Sequence, residues 1–275
     1  MGDATIEDYF HEDRLFPPSP EFLAKSILTD DSLAKAAAGD REGFWADQAR
    51  SLLTWYQDFS TVLEWDLPNA RWFADGTLNV SYNCLDRHVE AGLGDRIAFH
   101  WEGEPGDTRT VTYLDLLDQV CRFANVLKGL GIGKGDRVAI YLPMIPEAVV
   151  SMLACARIGA IHTVIFGGFS PDSIADRVND TEARLVVTAD GGFRKGSAAA
   201  LKPNVDEALK STPSVEQVVV VRRTGQDVAW DDDRDWWYHE LVDKAASVCP
   251  PEHMNAEDLL FLLYTSGTTA KPKGI

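Results

Sequence analysis

Continuous apolar runs, separated by stretches with helical periodicity, are the feature of residues 96–275 that most restricts the fold. A strand made only of apolar residues is typical of a parallel sheet that is covered on both faces. Such runs predict strands at residues 137–142, 161–166, 185–188, 218–221 and 259–263. Strands that alternate with helices in this way predict an α/β fold with a largely parallel sheet.

Local signals predict the elements between these strands. Pro146 is expected to open one helix, and Gly159 is expected to end it. Ser170 followed by Pro171 provides an N-cap and a favoured first helical residue for the next helix. Further helices are predicted at residues 114–127, 204–209 and 235–246, and a hairpin of two strands at residues 96–101 and 109–113.

Residues 1–95 have a different composition, with four tryptophans and short helical patterns. An amphipathic helix is predicted over residues 40–60, where Trp45, Leu52 and Tyr56 recur at helical spacing. Packing against a core is favoured over a ligand cage for the tryptophans, because each one buries a large area. We therefore predict two domains, a helical Trp-rich region at residues 1–95 and a second domain at residues 96–275.

The charge and the cysteines exclude several classes of function. The net charge is −17, from 26 basic and 43 acidic side chains, and this argues against nucleic acid or an anionic membrane as the main partner. The four cysteines form no Cys-x-x-Cys pair, so no zinc or redox motif is predicted. The chain has no signal-peptide pattern and no apolar run of membrane-spanning length. We expect a cytoplasmic protein, and nothing in the sequence predicts its oligomeric state.

The segment after the last predicted strand has the composition of a phosphate-binding loop. Glycine lets backbone N–H groups converge on a phosphate, hydroxyl groups donate hydrogen bonds, and lysine supplies charge. All three residue types are present at Thr265, Ser266, Gly267, Thr268, Thr269, Lys271 and Lys273. The segment is not a Walker A loop, because Ala270 precedes its first lysine and Pro272 follows it. The sequence predicts a structural element before this loop and none after it.

The run YTSGTTAKPKG, residues 264–274, resembles the signature loop of the adenylate-forming, AMP-producing ligases. That family includes acyl-CoA synthetases, luciferases and non-ribosomal adenylation domains. Five upstream stretches are similar to the acetyl-CoA synthetases in particular; they are residues 78–88, 98–107, 141–147, 164–170 and 187–192. The resemblance extends from about residue 40 to residue 275. It implies the parallel-sheet-rich N-terminal part of the adenylate-forming ligase fold, incomplete at its C-terminus and truncated at the phosphate loop.

The resemblance implies a nucleotide site in the loop. In that family the loop holds the β- and γ-phosphates of ATP, so this role passes to residues 265–269, with Lys271 and Lys273 as charge partners. Ala270 departs from the family, which has glycine there, and alanine is a handicap if the position needs a positive φ. Magnesium would arrive bound to ATP, and no dedicated metal site is predicted in this chain.

The resemblance also implies a coenzyme A site. Arg194, Lys195, Gly196 and Ser197 lie in a segment similar to the one that binds the 3′-phosphate end of CoA. Arginine suits this role, because its planar fork binds phosphate oxygens in pairs. Ser197 stands where the family often has a second basic residue. Residue types alone would favour an ordinary solvated turn for this segment.

Gly167 and Gly168 follow the strand predicted at residues 161–166. The resemblance assigns them to the turn beside the tunnel that holds the pantetheine arm of CoA. Ligands of open α/β sheets gather at the carboxyl ends of strands, and bare glycines permit close approach of the backbone. The sequence alone is equally consistent with a tight strand-to-helix turn.

The activity implied by the resemblance is that of an acetate–CoA ligase. ATP and acetate would give acetyl-adenylate and diphosphate, and the CoA thiol would then attack the acyl carbon to give acetyl-CoA and AMP. The family's carboxylate pocket, its adenine and ribose contacts and its mobile C-terminal domain with the catalytic lysine would lie beyond residue 275. We therefore predict no catalytic residue here and expect the chain to be a fragment that is inactive alone.

Three alternatives stay open. The parent protein could be a propionyl-CoA synthetase or a ligase of another short acid, because the pocket that decides lies elsewhere. The chain could instead be a non-catalytic module that binds nucleotide or CoA, or a partner of a longer ligase. It could also be a degenerate product without a role, as the departure at Ala270 suggests.

Overall fold

The structure is a computed structural model that describes residues 14–265 and 273–275. The chain divides into two compact units, residues 1–49 and residues 50–275, and the predicted division at residue 95 stays a prediction. The helices are α1 (Pro20–Lys25), α2 (Ser32–Gly39), α3 (Arg41–Leu52), α4 (Tyr113–Gly129), α5 (Pro146–Arg157), α6 (Pro171–Thr181), α7 (Lys202–Leu209) and α8 (Tyr238–Val242), with two π-helical segments at Tyr82–Asp86 and Val89–Leu93. None of the helices in the described ranges is both long and apolar enough to cross a bilayer.

The strands of the second unit form one large sheet and several short ladders. The strands are β1 (Leu63–Asp66), β2 (Asn69–Trp72), β3 (Thr77–Leu78), β4 (Ile97–Glu102), β5 (Thr108–Thr112), β6 (Arg137–Ile140), β7 (Ile161–Val164), β8 (Leu185–Ala189), β9 (Gly191–Arg194), β10 (Ser197–Ala200), β11 (Gln217–Val221), β12 (Asp235–Trp237), β13 (Met254–Asn255), β14 (Phe261–Leu262), β15 (Tyr264–Thr265) and β16 (Lys273–Gly274). The large sheet has the order β12-β11-β8-β6-β7-β14, and every neighbouring pair in it is parallel. The predicted α/β class with a parallel sheet is confirmed.

The sheet is buried on both faces, which explains why its strands are apolar throughout. Val138 and Ile140 of β6 lie in a core with α4 and α5. Ala139 and Tyr141 lie in a second core, on the other face, with α6 and α7. Burial of each such Val or Ile side chain contributes about 1.5–3 kcal/mol to folding. The two cores fix the positions of the strand ends at which the candidate site is built.

The predicted starts of two helices are confirmed. Ser170 accepts a hydrogen bond from the backbone N–H of Ser173, and Pro171 is the first residue of α6. This cap satisfies an N–H group that the helix itself leaves without a partner. Pro146 is likewise the first residue of α5, a position where its missing N–H costs nothing. Helix α5 thus follows β6 in the chain, and α6 follows β7.

Two predicted helices are wrong in their extent. The helix predicted at residues 40–60 ends at Leu52, because the N–H of Thr54 donates to Asn83 Oδ1 at 2.8 Å and the N–H of Tyr56 donates to Thr77 O at 2.8 Å. The helix predicted at residues 235–246 does not begin until Tyr238, because residues 235–237 pair with β11 as an edge strand. In both cases partners distant in sequence overrule the local pattern.

Candidate functional site

A cavity of 370 Å³ opens at the carboxyl ends of the central strands. Helix α5, after β6, packs on one face of the sheet, and helix α6, after β7, packs on the other. The β6–α5 loop and the β7–α6 loop therefore diverge and leave a crevice between them. The cavity is lined by residues 101–104, 142–145, 164–168 and 192–194 together with Ala199, Leu201 and Arg223. Five segments separated in sequence therefore form one site.

The two glycines predicted to contact CoA lie in the turn that follows β7. A Cβ atom on Gly168 would lie 2.5 Å from Arg194 Nη1 and 2.7 Å from Phe166 Cε1, so any larger residue would displace the guanidinium from its present position. A Cβ atom on Gly167 would lie 3.2 Å from Leu142 O. The structure thus brings together the glycine turn and Arg194, which the sequence placed in two separate segments.

Tyr141 supports this turn from inside the sheet. Its side chain is fully buried, and its hydroxyl lies 3.2 Å from Gly167 O and 3.0 Å from Phe169 O. The amide of Asn204 donates to the same hydroxyl at 3.3 Å. Burial raises the pKa of Tyr141, so the hydroxyl stays protonated and can donate to one of the two carbonyls. Sequence reasoning missed this role, although Tyr141 lies in one of the stretches that carry the resemblance.

Arg194, Lys195, Gly196 and Ser197 form the tip of the β9–β10 hairpin. Lys195 and Gly196 have φ values of 53° and 76°, the left-handed pair that a two-residue hairpin turn requires. The guanidinium of Arg194 lies 5.6 Å from the centroid of the Phe166 ring. The N–H of Gly196 donates to Glu104 Oε1 at 2.6 Å, which connects this hairpin to the β4–β5 turn.

Asp190 anchors the base of the hairpin. Its side chain is fully buried, and its carboxylate accepts hydrogen bonds from the N–H groups of Gly191, Arg223, Thr224 and Gly225 at 2.8, 2.7, 2.9 and 2.7 Å. A buried carboxylate with several N–H donors is stable, because hydrogen bonds to charged groups are the strong ones. Asp190 therefore joins the start of β9 to the loop after β11.

Arg223 connects the cavity wall to the β4–β5 hairpin. Its two terminal nitrogens donate to Asp107 at 2.7 and 3.0 Å, and its guanidinium lies 5.0 Å from the Trp101 ring centroid and 4.9 Å from that of Phe193. The hydrogen bond from Arg223 lowers the pKa of Asp107. Arg223 thereby holds two aromatic rings at fixed positions beside the cavity.

Of the predicted phosphate-loop residues, only Thr265 and Lys273 are described. Thr265 pairs with Lys273, and Tyr264 with Gly274, in the antiparallel ladder of β15 and β16. Ser266, Gly267, Thr268, Thr269 and Lys271 lie outside the described residues. Lys273 and Gly274, which the sequence placed in the loop itself, form β16, and Leu263 and Ile275 exchange backbone hydrogen bonds beyond the ladder.

Within residues 14–265 and 273–275, no group of three or more His, Cys, Asp and Glu side chains is arranged to hold a metal ion. Two arginines, Arg194 and Arg223, and two glutamates, Glu102 and Glu104, line the cavity, and Arg223 is paired with Asp107. Arg194, with Lys195 beside it at the hairpin tip, is therefore the cavity arginine without an ion pair among the described residues, and a guanidinium of this kind suits phosphate oxygens.

Comparison with protein families gives two matches. The family model described as "AMP-binding enzyme" matches residues 85–275. The model described as "Acetyl-coenzyme A synthetase N-terminus" matches residues 31–84. Together they cover the chain from residue 31 to residue 275.

Curated proteins with similar sequences share one description. The chain is 56% identical to the acetyl-coenzyme A synthetases of Streptomyces coelicolor and Streptomyces avermitilis, over 100% of this chain and 42% of each relative. It is 55% identical to the acetyl-coenzyme A synthetase of Gemmatimonas aurantiaca, over 99% of this chain and 42% of that protein. The chain thus spans less than half the length of these relatives.

Proposed function

Because the chain belongs to the AMP-binding enzyme family, we propose that it carries the ATP-phosphate and CoA-binding part of an acetate–CoA ligase. The reaction would join acetate and CoA through acetyl-adenylate, with ATP converted to AMP and diphosphate. The description shared by relatives that are 55–56% identical over the chain supports acetate as the acid. The observation that carries the proposal is the contact of the Gly167–Gly168 turn with Arg194 at the carboxyl end of the sheet.

In this proposal the β9–β10 hairpin binds the phosphate end of CoA. The fork of Arg194 pairs with phosphate oxygens, Lys195 adds positive charge, and Ser197 offers a hydroxyl. The Gly196 N–H, which here donates to Glu104, lies in the same tip. Gly167 and Gly168 let the pantetheine arm pass close to the backbone, since neither carries a Cβ atom. The 370 Å³ cavity between the two segments has room for part of such a ligand.

The ATP phosphates would bind between β15 and β16. Thr265 and Lys273 pair at the two ends of the loop. In the proposal, Ser266, Gly267, Thr268, Thr269 and Lys271 bind the β- and γ-phosphates together with them. Backbone N–H groups, hydroxyls and lysines offset the charge that develops as diphosphate departs. Mg²⁺ would enter with ATP and would screen the same phosphate oxygens. The contribution of this chain is to hold the reactants in position, a means by which enzymes lower activation barriers.

The proposal extends to the setting of the reaction. We assign the protein to the cytoplasm, with acetate, ATP and CoA as its partners and neither nucleic acid nor membrane among them. The net charge of −17 supports the absence of nucleic acid and membrane partners, because polyanionic surfaces would repel the chain. We also propose that the Trp-rich region to residue 95 is a domain distinct from the adenylation domain.

Product analysis tests the proposal. The protein at its natural length is incubated with ATP, CoA and, separately, acetate, propionate or butyrate, and AMP and acyl-CoA are quantified. We expect AMP rather than ADP, and the highest kcat/KM with acetate. ADP as the product, or no acyl-CoA with any acid, would contradict the ligase assignment. The highest kcat/KM with propionate would mean that propionate, and not acetate, is the substrate. In parallel, the 275-residue chain alone is expected to give no acetyl-CoA.

A further inference from the structure

Arg177 lies where α6 meets both predicted ligand-binding segments. It is only 7% exposed, and its Nη1 donates to Ser173 O within the same helix at 2.7 Å. Its guanidinium carbon lies 4.5 Å from the ring centroid of Phe169 and 5.2 Å from that of Tyr264. Phe169 closes the glycine turn, since its N–H donates to Phe166 O at 3.0 Å. Tyr264 immediately precedes Thr265 at the start of the phosphate loop.

Among the described residues, no carboxylate forms an ion pair with Arg177. The Ser173 carbonyl and the two ring faces therefore stabilise its charge, and cation–π attraction is stronger when the cation has left water. A guanidinium that is held by two rings fixes the distance between them. The two rings belong to segments almost a hundred residues apart in sequence.

Asp180 makes a second contact from the same helix. The hydroxyl of Tyr264 donates to Asp180 Oδ2 at 2.5 Å. Partial burial, followed by this hydrogen bond, raises the pKa of Tyr264 and keeps the hydroxyl protonated as a donor. The helix itself is anchored to the core by Ile174 and Val178, which are buried. β15 is thus fixed to a helix whose own position is set by the sheet.

We propose that Arg177 is a positioning residue that sets the glycine turn and the start of the phosphate loop at a fixed distance from each other. Each segment binds one of the two ligands, and Arg177 contacts both segments, so its loss displaces both and weakens the binding of both ligands. Asp180 acts on the phosphate side alone, because it contacts Tyr264 and makes no contact with the glycine turn among the described residues. The inference rests on the proposed function, from which it takes the identity of the two ligands.

Calorimetric dissociation constants for ATP and for CoA test the inference in the protein at its natural length. For Arg177→Gln we expect both dissociation constants to rise about 10-fold, since two cation–π contacts are lost. For Arg177→Lys, which keeps the charge, we expect values within about 3-fold of wild type. For Asp180→Ala only the ATP value should rise, by about 3-fold. For Phe169→Leu only the CoA value should rise. The matched control is Asp176→Ala, an exposed carboxylate on the same helix, which should change neither.

The pattern across variants separates positioning from general loss of structure. The inference is overturned if Arg177→Gln changes one constant or neither, or if Asp180→Ala raises both equally. A wild-type protein that binds both ligands and makes no acetyl-CoA contradicts only the proposed function. A wild-type protein that binds neither ligand overturns the inference as well, since there are then no two sites to align.

Discussion

The two halves of the candidate site are held in different ways. In one half, Asp190 supports the base of the β9–β10 hairpin and Tyr141 supports the glycine turn after β7, and both side chains are fully buried. β15 and β16 have only two residues each, and the neighbouring Leu263 and Ile275 are 49% and 73% exposed. The half proposed to bind CoA, called the CoA half below, is thus built on the core of the sheet. The half proposed to bind ATP, the ATP half, depends on a short ladder and on contacts with α6.

This difference affects what binding requires. A half that is held by buried groups already has its binding geometry. Little of the binding free energy of its ligand is therefore spent on ordering the protein. A half held by few contacts can move as the ligand arrives, and part of the binding free energy is spent on ordering. Mutations should therefore affect global stability at the first half and local affinity at the second.

The largest expected effect is at Asp190. Asp190→Ala leaves four backbone N–H groups in a buried place without their acceptor, and we expect the free energy of unfolding to fall by about 4 kcal/mol. Urea unfolding gives this value, with Asp232→Ala, an exposed residue, as the control. A loss under about 1 kcal/mol would mean that the CoA half does not depend on the buried carboxylate.

A pH effect is expected at His162, which lies on β7 beside Phe261 of the edge strand β14. Burial lowers the pKa of His162 from 6.5 to about 4. Above pH 6.5 the imidazole is neutral in both the folded and the unfolded state, so it does not change the stability. As the pH falls from 6.5 to 4, the unfolded state binds the proton first, and the free energy of unfolding decreases by about 3 kcal/mol.

The measurement is urea unfolding at pH 7 and pH 4 for wild type and His162→Leu. The variant should lose less stability than wild type over this interval, by about 3 kcal/mol. His100→Gln, at an exposed histidine, serves as the control for the removal of an imidazole. Equal pH dependence in His162→Leu and wild type would show that the β7–β14 border does not exclude water from the imidazole.

A reciprocal pair of variants separates the two halves directly. Arg194→Gln should raise the dissociation constant for CoA about 10-fold, which corresponds to about 1.4 kcal/mol, and leave that for ATP unchanged. Lys273→Gln should raise the dissociation constant for ATP and leave that for CoA unchanged. The rise should be somewhat smaller, because a lysine acts as a point charge. Both are measured by calorimetry. A change in both constants for either variant would contradict the separation.

The smallest effect concerns the hydroxyl beneath the glycine turn. Tyr141→Phe removes the hydrogen bond to the turn carbonyls, and we expect the free energy of unfolding to fall by about 1 kcal/mol. Thr188→Val is the matched control, because the buried hydroxyl of Thr188 has no partner among the described residues. That substitution should be neutral or stabilising. If both variants behave alike, the Tyr141 hydroxyl does not support the turn.

Much of the fold follows from local patterns in the sequence. The apolar runs predicted β6, β7, β8 and β11. A parallel strand that is buried on both faces is apolar whichever strands it pairs with, so its own sequence is enough to predict it. The cap at Ser170 and the helix start at Pro146 were predicted for a similar reason, because both are decided within one turn of chain. Where the prediction was wrong, at residues 53–60 and 235–237, the deciding partners are Asn83, Thr77 and the strand β11.

The site was predictable only in part. Arg194, Gly167 and Gly168 could be predicted because their residue types alone indicate a role. Arginine suits phosphate binding, and glycine permits close approach of the backbone. Asp190, Tyr141, Arg223 and Arg177 act through partners that lie up to about a hundred residues away, and no local spacing encodes such contacts. They could be found only once the fold had brought these segments together.

The strand order of the large sheet has a consequence for how the chain folds during its synthesis. β6 is the first of the six strands to leave the ribosome, and each later strand pairs with an edge that already exists: β7 and β8 with β6, β11 with β8, β12 with β11, and β14 with β7. No strand has to insert between two others, so the sheet can grow outward in both directions as the chain emerges. The residues that line the 370 Å³ cavity end at Arg223, and all of them have therefore been synthesised before β14 appears.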